Sequence, residues 1–141
     1  MIAYFDTSAL LKLVIAEAGA GQARLLWERA GEIVVSRLAW PEALAALAAA
    51  RRGRRLTEEG CAAAVGVFRG CFARCTVVSV ADHLVDRAAD LAAEYDLRAA
   101  DGIHLATALA VMEADSVLVT WDKRLWQAAV QAGLVAAPAG S

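Results

Sequence analysis

The first ten residues, MIAYFDTSAL, constrain the fold more than any other stretch, because they set one carboxylate at the end of a buried strand. Ile2 to Phe5 are β-branched, aromatic or apolar with no polar break, the composition of a strand covered on both faces of a parallel sheet. Asp6 is the first residue past that strand's carboxyl end. Thr7 and Ser8 bring turn and cap chemistry, and Ala9 to Ile15 predict a helix. Open α/β sheets hold ligands outside the carboxyl ends of their strands, so Asp6 stands where a ligand would sit.

The rest of the chain alternates helix and strand. Gly19 and Gly21 bracket a break before a short helix over Gln22 to Arg29, and Ile33, Val34 and Val35 mark a buried strand over Glu32 to Ser36. Leu38 to Arg52, rich in Ala and Leu with Pro41 near its start, predicts the strongest helix. A basic turn at Arg51, Arg52, Arg54 and Arg55 ends it, and Thr57, Glu58 and Glu59 open the next helix, on which Cys61, Val65, Phe68 and Phe72 recur at helical spacing. A third strand is expected over Cys75 to Val80 and a helix over Asp82 to Tyr95. Asp101 opens a helix that is apolar almost all round, Ser116 to Val119 form a fourth strand, Asp122 to Gln131 a last helix, and Leu134 to Ala136 an edge strand. This order predicts an α/β fold of three layers, α/β/α, with a parallel sheet of four to five strands and helices on both faces.

Bulk properties narrow the function. With 141 residues, 60% of them hydrophobic, residues 1–141 suit one well-filled core and are read as a single domain. A formal charge of -2 gives no global basic field, so nucleic-acid binding has to come from a local patch or from metal charge. No window is apolar enough to span a membrane, and the strand at residue 2 leaves no room for a leader, which argues for a cytoplasmic protein. Cys61, Cys71 and Cys75 contain no C-x-x-C pair and fit reduced thiols; a zinc site from Cys71, Cys75 and His83 lacks a fourth ligand.

The acidic residues form a pattern of their own. Asp6 follows the first strand, Asp122 the fourth, Asp101 lies in the first turn of a buried helix, and Glu42 one turn into the helix that leaves the second strand. Each alone reads as a helix cap or a partner of the helix dipole. Four carboxylates at one sheet edge repel one another unless a cation neutralises them. Without His or Cys ligands, the hard cations Mg²⁺ or Mn²⁺ suit them best.

Four segments, FDTSAL, SRLAWPEALAAL from Ser36, LRAADGIHLATAL from Leu97 and TWDKRL from Thr120, resemble the PIN-domain ribonucleases, most closely the VapC toxins of type II toxin–antitoxin pairs. The resemblance spans essentially the whole chain. It maps the family's acidic quartet onto Asp6, Glu42, Asp101 and Asp122 and its strand-end hydroxyls onto Ser8 and Thr120. Asp6 and Asp101 are then the expected direct metal ligands, with Asp122 and Glu42 binding a second ion or acting through water. It further implies an RNA substrate cleaved to a 5′-phosphate and a 3′-hydroxyl, a cognate VapB-type antitoxin, and a homodimer. Two positions depart from the pattern: His104, where many relatives carry a small apolar residue, and the bulky Trp121 beside an acid.

Weaker features carry two readings each. Arg51, Arg52, Arg54 and Arg55 either grip RNA phosphates or complement a helix dipole. Trp40 is a candidate base-stacking platform or a core anchor. His104 contacts substrate or fills the helix–sheet interface. Asp82, Asp86, Asp90 and Glu94 read as a solvated helix face. Two rival functions remain open on the residues: a phosphatase- or receiver-like phosphotransfer domain using Asp6, and a PIN-fold binding module without activity. The phosphatase pattern wants an Asp where Ser8 stands, and the receiver pattern wants a further acid and an isolated Lys.

Overall fold

A computed structural model describes residues 1–140. Among them, five strands form one parallel sheet: β1 (Ile2–Phe5), β2 (Glu32–Ser36), β3 (Thr76–Val78), β4 (Val117–Val119) and β5 (Ala136–Ala137), in the spatial order β3-β2-β1-β4-β5. The helices between them are α1 (Thr7–Val14), α2 (Ala20–Arg29), α3 (Ala39–Arg52), α4 (Glu58–Phe72), α5 (Asp82–Tyr95), α6 (Ala99–Val111) and α7 (Lys123–Gln131).

The period-two pleat of the strands divides the core into two. Ala3, Phe5, Ile33, Val35, Val117 and Val119 face α1, α3 and α4, where Leu10, Leu47 and Phe68 are buried. Tyr4, Val34 and Leu118 point the other way, against Leu84, Leu105 and Leu125 of α5, α6 and α7. The sheet is therefore the middle of three layers, as the alternation in sequence predicts. Burying each large apolar side chain contributes about 1.5–3 kcal/mol, so covering both faces is what holds the sheet.

The strand order fixes where a ligand can sit. From β1 the chain steps outward to β2 and β3, then crosses to the opposite side of β1 to form β4. The helix after β1 packs on one face of the sheet and the helix after β4 on the other. A crevice opens at the carboxyl ends of adjacent strands whose following helices diverge in this way. Asp6 and Thr120 are the first residues past β1 and β4.

Several boundaries differ from the sequence reading for local reasons. Helix α1 starts at Thr7, because Asp6 itself caps it by accepting from the Ala9 N–H. Helix α2 starts at Ala20, with Gly21 inside it: the turn before it needs the left-handed backbone of Gly19 (φ 93°), and a Cβ there would lie 2.7 Å from the Trp121 indole nitrogen. Helix α6 starts at Ala99, which puts Asp101 within the first turn rather than at its opening. The edge strand falls on Ala136–Ala137, where Leu118 N–H donates to Val135 and Thr120 N–H to Ala137. No helix among the described residues is long and apolar enough to cross a membrane.

Candidate active site

Strand pairing brings the first acid and its hydroxyl partner together. Phe5 and Val119 are register partners, and the Asp6 N–H extends the ladder to the Val119 carbonyl at 3.2 Å. The next side chains out of each strand then meet. Asp6 is 3% exposed. Its Oδ1 accepts from the Ala9 N–H (2.9 Å) and the Ser8 hydroxyl (2.7 Å), and its Oδ2 accepts from the Thr120 hydroxyl at 2.5 Å. Those hydroxyls accept in turn: Ser8 from Trp121 N–H at 2.9 Å, and Thr120 from Asp122 N–H at 3.0 Å. One polar lattice thus ties the ends of β1 and β4.

Asp122 lies in the same loop and caps α7 by accepting from Leu125 N–H through Oδ1 at 3.1 Å. Its Oδ2 is 3.4 Å from Nη2 of Arg98, whose Nε is 3.4 Å from Oδ2 of Asp101, so one guanidinium bridges the two acids. Glu42, in the first turn of α3, meets α1 and α6. Its Oε1 accepts from the Thr7 hydroxyl (2.6 Å) and from Nε2 of His104 (2.7 Å), while Nδ1 of His104 is 2.8 Å from the Tyr4 hydroxyl.

The charges respond to this crowding. Burial pushes the Asp6 carboxyl above its usual range, against the charge of His104 and the hydrogen bonds from Thr120, Ser8 and Ala9. Burial also raises Asp101, and Asp122 beside it raises it further, while Arg98 and His104 oppose the rise. Glu42 goes the other way: half-burial raises it, but donors on His104 and Thr7 and the charges of His104 and Arg98 outweigh that and hold it ionised at lower pH. The charge of His104 favours the ionised form of Asp6, Glu42 and Asp101 alike.

Oxygen is the only donor type the acids offer, the chemistry of Mg²⁺ or Mn²⁺ rather than of zinc. Oε2 of Glu42 and Oδ1 of Asp101 accept no hydrogen bond among the described residues. No three Asp, Glu, His or Cys side chains among these residues are gathered into a ready cage.

The other candidates lie elsewhere. Arg51, Arg52, Arg54 and Arg55 are exposed at the far end of α3, whose last turn is about 14 Å along the axis from Glu42. Trp40 packs on Phe68 and Phe72, with ring centroids 5.6 and 5.2 Å away, and lies under the guanidinium groups of Arg37 and Arg69, an anchor of the α3–α4 interface. His104, at 2% exposure, is enclosed between sheet and helices rather than presented to an RNA strand. Asp82, Asp86, Asp90 and Glu94 are exposed on α5, and the cysteines are free thiols. Three residues of the site escaped the sequence reading: Tyr4, Thr7 and Arg98. Only Arg98, three positions before Asp101 and so on the same helical flank, left a usable signal.

A doubly covered parallel sheet with acids at the carboxyl ends of its central strands defines a class, and the chain belongs to it: residues 3–131 match the PIN domain family. Within that family it falls among the VapC-type ribonucleases, being 41% identical over 138 residues to Ribonuclease VapC45 of Mycobacterium tuberculosis, 98% of this chain and 96% of the relative. Among solved structures, it is similar to PAE2754 from Pyrobaculum aerophilum (TM-score 0.71, 23% identity, 96% of this chain and 83% of that one). It is also similar to a chain of a toxin–antitoxin complex from Klebsiella pneumoniae (TM-score 0.60, 23% identity, 85% and 86%).

Proposed function

We propose that the protein is a metal-dependent endoribonuclease and the toxin of a VapBC-type pair, with Asp6, Glu42, Asp101 and Asp122 as its working acids. What supports this reading is a polar network past the ends of β1 and β4, in which Thr120 links Asp6 to Asp122 and Arg98 links Asp122 to Asp101, with Glu42 tied in through Thr7 and His104. Mg²⁺ or Mn²⁺ bound there would polarise a phosphodiester and lower the pKa of a bound water.

Asp6 and Asp101 are the direct ligands, and Asp122 and Glu42 act through water or on a second ion. Ser8 and Thr120 hold the Asp6 carboxylate in one rotamer, so its orientation is set before any ion or substrate arrives. Arg98 neutralises Asp101 and Asp122 in the free protein. Its side chain is 78% exposed and so free to turn from the acids to an RNA phosphate.

The phosphotransfer alternative asks Asp6 to be a nucleophile. Three of the roughly four lone-pair positions of its carboxylate accept hydrogen bonds, which lowers nucleophilicity and favours water as the attacking group while leaving a position on Oδ2 for an ion. Acetyl phosphate should therefore leave no phosphoryl group on Asp6, and a labelled aspartyl phosphate there would establish the alternative. An intact quartet speaks against a binding module without activity.

An antitoxin of the VapB type is the proposed partner. Clustered carboxylates attract an Arg-bearing tail, whose planar fork matches a carboxylate and competes for the place of the metal. Inhibition should then weaken as Mg²⁺ rises and when the tail Arg is changed to Ala. The test of the catalytic reading is RNA cleavage by Asp6→Asn and Asp101→Asn, expected to fall roughly 10²- to 10³-fold while both chains stay folded.

A further inference from the structure

His104 has no task in the scheme above, yet its ring makes a polar contact through each of its two nitrogens inside the site. Its ring joins β1 to α3, 100 residues from Tyr4 and 62 from Glu42 in sequence, with the Tyr4 ring set edge-on at 6.0 Å. An ionised Glu42 can only accept, so the 2.7 Å contact requires a proton on Nε2 whether the ring is neutral or charged. In the neutral ring Nδ1 is then the acceptor, and the fully buried Tyr4 hydroxyl donates to it at 2.8 Å. Glu42 thereby fixes the tautomer, and the Tyr4 hydroxyl, able to donate or accept, holds the other ring nitrogen in place.

We infer that His104 is a positioning residue: oriented by Tyr4, it pins the carboxylate of Glu42 for RNA cleavage. The inference rests on the ribonuclease reading. Thr7 completes the clamp, donating to the same Oε1 at 2.6 Å, so two donors converge on one oxygen and leave Oε2 clear. The Glu42 side chain is 30% exposed and would otherwise sample several rotamers. Fixing it beforehand removes an ordering cost from the reactive complex. A histidine that donates to a working carboxylate acts in the manner of outer-shell partners at metal sites, whose loss typically costs about 10- to 100-fold.

Ring-nitrogen NMR on the wild-type protein without metal reads the first step directly: Nε2 of His104 is expected to be protonated at neutral pH. An unprotonated Nε2 overturns the inference. Kinetics read the second step. His104→Asn, whose amide reaches toward Tyr4 but not Glu42, should lose roughly 10- to 100-fold in kcat with little change in KM. His104→Gln, whose longer amide can donate to Glu42, should recover most of that loss. Tyr4→Phe, nearly isosteric, removes the hold on Nδ1 and should lose a few-fold in kcat relative to wild type with KM little changed; if His104→Asn does not fold, Tyr4→Phe with wild-type kcat overturns the inference. Equal activity of His104→Asn and wild type, or no recovery by His104→Gln, overturns the inference. Should Asp6→Asn cleave RNA as well as wild type, it is the ribonuclease reading that fails; should Asp6→Asn be inactive and His104→Asn fully active, only the positioning role fails.

Discussion

Asp6 and Thr120, 114 residues apart, are joined by a 2.5 Å hydrogen bond because β1 and β4 are register neighbours and each residue is the first beyond its strand. The hydroxyl does double duty, donating to the carboxylate and accepting from the Asp122 N–H at 3.0 Å. Thr120→Val keeps the shape and removes both bonds. It should destabilise the protein by about 1–3 kcal/mol, the cost of leaving buried polar groups unmatched. It should also lower kcat roughly 10- to 100-fold through a loosened Asp6. Urea unfolding and initial rates check the two parts; unchanged values in both would mean that the bond orients nothing.

The pH dependence of stability follows from the raised carboxyl of Asp6. A folded-state pKa above the unfolded one means that the folded protein binds more protons between the two values, so stability falls as pH rises through that window. Burial of the charged form is the cause, and Asn removes the charge while remaining a good N-cap for α1. Metal-free Asp6→Asn should therefore be at least as stable as wild type at pH 7, with its advantage shrinking as pH falls through that window and gone below the ordinary carboxylate pKa. Melting temperatures from pH 3 to 8 test it. A variant several kcal/mol less stable at pH 7 would make Asp6 chiefly structural.

How much of this was legible in the sequence depends on how local each cause is. The span of β2 and those of α4 and α5 follow from short runs of composition and capping, such as Thr57 accepting from Gly60 N–H. The acids could be placed at one edge because each sits next to an element end. The clamp on Glu42 could not, since Tyr4, Thr7 and His104 meet only after the sheet has formed. Thr7 read as turn chemistry, and His104 as either an interface filler or a substrate contact. Trp40 is adjacent to the acids in sequence, but the helix turns its ring toward Phe68 and Phe72.

Gly102 shows a constraint of the same non-local kind. A Cβ there would lie 2.7 Å from the Ala88 carbonyl oxygen, so the glycine lets α6 approach α5 beside Asp101. Overpacking costs about 1–3 kcal/mol and the better helix propensity of Ala returns at most about 1, so Gly102→Ala should be destabilising by roughly 1–2 kcal/mol. Gly66→Ala on α4, where nothing lies within 4 Å, should instead stabilise by about 0.5–1 kcal/mol. Denaturant midpoints of the two variants should move in opposite directions, and movement in the same direction would refute the close-approach argument.

Arg98 lies 3.4 Å from both Asp101 and Asp122 and bridges the two acids. Because the arginine is largely exposed, its loss should cost only about 0–1 kcal/mol. Arg98→Gln removes a competitor for the acids, so the Mg²⁺ concentration that half-stabilises the protein against heat should fall. A rise would mean that Arg98 assists the ion rather than standing in for it.

The account turns on a cation at the carboxylates of the sheet edge, and the most direct measurement is cleavage of a labelled RNA mixture by the purified protein in Mg²⁺ or Mn²⁺, with and without excess EDTA. Cleavage should require the ion, stop in chelator, resume when the ion is restored, leave 5′-phosphate ends, and be reduced at least about 100-fold in Asp101→Asn. Cleavage that continues undiminished in excess chelator, or that proceeds at the wild-type rate in Asp101→Asn, would contradict it.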